Sequence, residues 1–72
     1  DYKQRELITF CYLYAQGGCE PQLISHAMGN MKVGNSKELL ANVVSHCIPY
    51  IGYPRSLNAL TAVDTAAKNL GL

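Results

Sequence analysis

The pairs Leu39/Leu40, Val43/Val44 and Cys47/Ile48, followed by Ile51, recur at the spacing of helical turns. A half-buried strand would alternate every second residue, so this stripe belongs to one side of a helix. Its start is marked by Asn35 or Ser36, either of which offers an acceptor to the first free amides. Glu38 stands three residues after Asn35, as in a capping box with Asn in place of the usual hydroxyl residue. The stripe then runs into "IPYIGYPRSLNAL", residues 48–60. Pro49 removes an amide and is expected to kink or end the helix, Gly52 supplies a permissive terminal residue, and Pro54 suits the first turn of another helix. The stretch therefore reads as a sharp corner between two apolar helices. Tyr50 and Tyr53 flank it, each with a flat apolar body and a hydroxyl that needs a partner when buried.

Three other segments share the helical period. "RELITFCYLYAQ", residues 5–16, is apolar almost all round from Leu7 to Ala15 and stops at Gly17–Gly18, which predicts a helix buried on every side. "CEPQLISHAMGNMKVG" has Glu20 and Pro21 at a helix start and Gly34 as a stop, with Leu23, Ala27 and Met31 recurring every four residues. In "YPRSLNALTAVDTAAKNLG", Leu57, Leu60, Val63, Ala67 and Leu70 share one side. Ala59, Ala62 and Ala66 form a second side of small residues, which permits close approach of a partner helix or another subunit. The expected fold is an all-α bundle of about four helices.

A chain of 72 residues has room for one core and no second domain. Folded alone, it hides roughly 60% of the surface its unfolded form exposes. Yet 49% of its residues are hydrophobic and 15% are charged, where a small soluble domain carries about 25–35% charge on its surface. That deficit predicts an oligomer. The chain opens on Asp1 rather than Met, so residues 1–72 are expected to form a single domain that lacks an N-terminal portion.

The six Lys and Arg residues are scattered and the formal net charge is +1, which argues against a nucleic-acid partner. No apolar run reaches the length of a membrane span and no signal peptide opens the chain, so neither a membrane partner nor export is expected. Three cysteines without paired spacing fit a reducing, cytoplasmic setting. No two ligands stand at a metal spacing, and no metal site or cofactor is expected.

The segments "QLISHAMGNMKVG" and "NSKELLANVVSHCIPYIGYPRSLNAL" together resemble the carboxymuconolactone decarboxylase family, the all-helical group that includes the alkylhydroperoxidase D-type reductases. The matching features are His26 followed by Ala27, the "VGNSKE" turn and the "PYIGYPRSLNAL" corner, within residues 5–63. The resemblance implies a small helical subunit assembling into trimers or hexamers, with a pocket formed partly at subunit contacts. It also implies one of two chemistries on a small-molecule substrate. One is cofactor-free decarboxylation of a carboxylated lactone. The other is peroxide reduction by a C-x-x-C dithiol placed four residues before a histidine and supported by an upstream glutamate. On this chain the family histidine falls on His26, the two thiol positions on Cys19 and Gln22, and the glutamate on Glu6. The second thiol is missing, which removes the ordinary disulfide cycle.

Each candidate has a functional and a structural reading. An imidazole such as His26 can donate the proton that the carbon left by decarboxylation needs, or it can be a hydrogen-bonded histidine at the core boundary. Glu6 either orients His26 or is an acidic residue at an exposed helix start. Cys19 precedes a helix, where the dipole favours a thiolate, or it is a small inert residue in a turn. Arg55, after the corner, can hold a substrate carboxylate through a two-pronged contact, together with Tyr50 and Tyr53; Arg5 is a weaker candidate for the same role. His46 borders the stripe of its helix, and Cys11 and Cys47 fall on core stripes. Three function classes follow: a cofactor-free lyase acting through His26, a thiol peroxidase acting through Cys19, and a non-catalytic assembly module.

Overall fold

The computed structural model describes every residue from Asp1 to Leu72. Its elements are α1 (Tyr2–Gln16), α2 (Glu20–Lys32), α3 (Lys37–Ile51) and α4 (Tyr53–Asn69), joined by short turns. None of them is long and apolar enough to cross a membrane. Helix α1 begins five residues before the apolar run that opens at Leu7, because the Asp1 carboxylate accepts from the Gln4 amide at 2.9 Å. It ends at Gly17, whose φ of +72° and ψ of 166° suit glycine alone.

One local expectation is narrowed and another is corrected. The cap of α3 is Ser36, whose Oγ accepts from the Leu39 amide at 3.1 Å. Asn35 is buried instead, and its side-chain amide bonds elsewhere. Pro49 does not end α3, which runs on to Ile51 and stops at Gly52 with φ +107°. A proline this close to the helix end frees one carbonyl, that of Ser45, and Ser45 is exposed to water. The helical pattern has already resumed at Gly52, whose amide donates to Ile48 O at 2.9 Å.

The core draws on all four helices: Phe10 and Tyr14 of α1, Leu23 and Ala27 of α2, Leu40 and Val44 of α3, and Ala59, Ala62, Val63 and Ala66 of α4. Helix α4 packs against both α2 and α3 and also touches α1, while α1 packs mainly on α2. The column Ala59, Ala62 and Ala66 is buried within this single chain, so the small-residue face of α4 serves a partner helix inside the subunit. Helix α1 is not enclosed on every side. Ile8 and Tyr12 are exposed, because only the Phe10–Tyr14 side meets the bundle. Cys11 and Cys47 are half-buried at the edge of the core.

The corner between α3 and α4 is held from inside. The Tyr14 hydroxyl lies 3.1 Å from Val44 O and in contact with Ser56 Oγ, which sits 2.6 Å from Gly52 O. Two hydroxyl protons thus serve three contacts, and all of the polar atoms in this closed region find partners.

Candidate active site

Helices α1 and α2 run antiparallel, as the contacts between them record in order. Cys19 Sγ meets Leu13 O, Asn30 Nδ2 meets Glu6 O, and Asn35 Nδ2 meets Lys3 O. Halfway along this seam, Glu6 and His26 face each other, with Oε1 3.4 Å from Nδ1. The His26 side chain is 40% exposed and that of Glu6 26%. The imidazole is thus open to a solute on one side while its Nδ1 turns inward to a carboxylate. A contact of this length is a loose hydrogen bond.

Beneath the pair lies a polar ladder. Asn30 is fully buried, and its amide donates to the main-chain carbonyls of Glu6 at 2.9 Å and of His26 at 2.7 Å. Its Oδ1 accepts from Asn35 Nδ2 at 2.9 Å, and Asn35 also donates to Lys3 O. One residue before Asn30 stands Gly29, in the last turn of α2. A Cβ at that position would lie 2.6 Å from Glu6 Oε1. Gly29, Asn30 and Asn35 are absent from the sequence-based candidates. The available signal was the position of Gly29, three residues after His26 and so on the same face of a helix whose interior disfavours glycine.

The other candidates lie apart from this pair. Cys19 precedes His26 by two helical turns, about 10 Å along α2, and its thiol donates to Leu13 O at 3.4 Å. Gln22 is exposed one turn before His26. Tyr50 and Tyr53 project from the corner, 88% and 61% exposed. Arg55 lays its side chain over Gly17, at the carbonyl end of α1, where a cation is favoured. Gly17 is about 16 Å along the α1 axis from Glu6. Arg5 stacks over Tyr2 at 5.9 Å, and His46 Nδ1 is 2.9 Å from Asn42 O of its own helix. Two shallow depressions mark the surface elsewhere. One lies between α2 and α4, lined by Glu20, Ile24, Asn58, Thr61, Ala62 and Thr65; the other includes Met31, Lys37 and Leu72.

Comparison with protein families matches residues 1–65 to the model of the carboxymuconolactone decarboxylase family. No curated protein and no solved structure gave a match. With nearly its whole length covered, the chain belongs to the carboxymuconolactone decarboxylase family.

Proposed function

We propose that this family member carries out cofactor-free proton-transfer chemistry, of the decarboxylase kind, on a small carboxylated lactone-type compound. The observation that carries the reading is the Glu6–His26 pair on facing turns of α1 and α2. The Glu6 carboxylate accepts from His26 Nδ1–H, which leaves Nε2 as the nitrogen that meets substrate. As carbon dioxide departs, the electron pair of the broken C–C bond stays on carbon. The imidazolium Nε2–H supplies the proton to that carbon and His26 recovers its proton from water. Glu6 orients the ring.

The thiol reading has less support. The Cys19 thiol is engaged with the main-chain carbonyl of Leu13, and Gln22 stands where a resolving thiol would be needed.

The pocket forms between subunits in this reading. Ile8 and Tyr12 on α1, and Tyr50, Tyr53 and Leu57 about the corner, are exposed apolar residues that fit burial in a trimer or hexamer. Such packing brings Arg55, Tyr50 and Tyr53 of one subunit toward the Glu6–His26 pair of another, where the guanidinium holds the substrate carboxylate. The test is native mass together with kinetics. An oligomer whose Arg55→Ala variant keeps its mass and loses substrate affinity is the expected outcome. A monomer that turns over the substrate rules out the shared pocket.

A further inference from the structure

We infer that Gly29 is a positioning residue for the Glu6–His26 pair: the missing side chain leaves the seat in which the Glu6 carboxylate meets His26 Nδ1. The space is specific. A Cβ on residue 29 would stand 2.6 Å from Glu6 Oε1 and 3.6 Å from its carboxyl carbon, with no other atom closer than ordinary contact. The only group in the way is the far end of a flexible side chain.

The helices themselves are fixed at this level. Asn30, the neighbour of Gly29, is bonded to the carbonyls of both Glu6 and His26. An added methyl group therefore displaces the carboxylate and leaves α1 in register on α2. The consequence separates positioning from stability. Alanine favours a helix interior more than glycine does, so Gly29→Ala keeps the fold at undiminished stability while taking Glu6 away from His26.

The inference deepens the proton-transfer reading, but its test needs no substrate, so the two fail separately. The ring nitrogens of His26 are observed by 15N NMR in the full chain, at a pH where imidazole is neutral, for the native sequence, Gly29→Ala, Glu6→Ala and the double variant. The native protein is expected to hold the His26 proton on Nδ1, facing Glu6. Gly29→Ala shifts it toward Nε2 by as much as Glu6→Ala does, and the double variant shifts it no further. His46, bonded within its own helix, stays unchanged in all four. The unfolding midpoint of Gly29→Ala is equal to or above the native value. The inference is overturned if Gly29→Ala leaves the His26 tautomer as it was, if it still moves the tautomer once Glu6 is Ala, or if it unfolds the chain.

Discussion

The Tyr14 hydroxyl meets Ser56 Oγ in the closed centre of the bundle and so ties α1 to the turn that joins α3 to α4. The same serine bonds the carbonyl of Gly52, the residue that both ends α3 and precedes α4. The corner thus owes its shape to glycine geometry on the outside and to two buried hydroxyls within.

Removing one of those hydroxyls takes away their mutual contact in a region closed to solvent. Tyr14→Phe and Ser56→Ala are each expected to lower the unfolding free energy by about 0.5–1.5 kcal/mol, the net worth of one hydrogen bond, since the remaining hydroxyl keeps a carbonyl partner. Chemical denaturation measures both. The double variant should cost less than the sum of the two, because the residues share one contact.

Gly17 predicts a backbone effect. Its φ and ψ lie where only glycine is at ease, so Gly17→Ala is expected to cost about 1–3 kcal/mol. A Cβ there also runs into the Arg55 side chain. That side chain is exposed and free to swing aside, so Arg55→Ala should not restore the lost stability, as thermal or denaturant melts of the single and double variants will tell.

Asp64 on α4 is gripped by Lys37 Nζ and Lys68 Nζ, each at 3.1 Å. Hydrogen bonds from Lys37 and then Lys68, with the attraction of their charges, hold its carboxyl below the usual carboxylate range. A depressed folded pKa means that the folded state binds the proton less readily than the unfolded state. The stabilising contribution is therefore present above the unfolded pKa of about 3.9 and is lost as pH falls through the folded value. Asp64→Asn is expected to flatten the acid limb of a stability profile measured at low salt, and added salt to shrink the difference.

Burial pushes the Cys11 thiol above its ordinary pKa, and the neighbouring Cys47 acts in the same direction. Alkylation of Cys11 in the native protein should therefore need a higher pH than in the denatured chain, as peptide mapping after iodoacetamide would record. The matching stability contribution is complete below the unfolded thiol pKa and is lost as pH rises through the folded one.

Much of this architecture is legible in the amino-acid order because helical period and turn chemistry are local. The stripe from Leu39 to Ile51, the stop at Gly52 and the proline in the first turn of α4 all follow from residues within a few positions of each other. The differences arise where a distant partner decides. Asn35 and Ser36 can both cap a helix, and the choice falls to Ser36 because Lys3 O and Asn30 Oδ1 claim the asparagine. Ile8 and Tyr12 are as apolar as Phe10, yet the bundle reaches one side of α1 only. The resemblance singles out Glu6 and His26, and antiparallel packing of α1 on α2 brings them together. Gly29 and Asn30 carry no chemical signature, since their roles are an absent methyl and a buried amide.

The most direct test of the account is carbon dioxide release from a carboxylated muconolactone-type substrate by the native protein, His26→Ala, Glu6→Gln and Cys19→Ser. The account predicts turnover by the native protein and Cys19→Ser, its loss in His26→Ala, and a fall of about 10²–10⁴-fold in Glu6→Gln, the range of general acid–base effects. Undiminished turnover in His26→Ala, or hydroperoxide consumption that vanishes with Cys19→Ser and survives without His26, would contradict it.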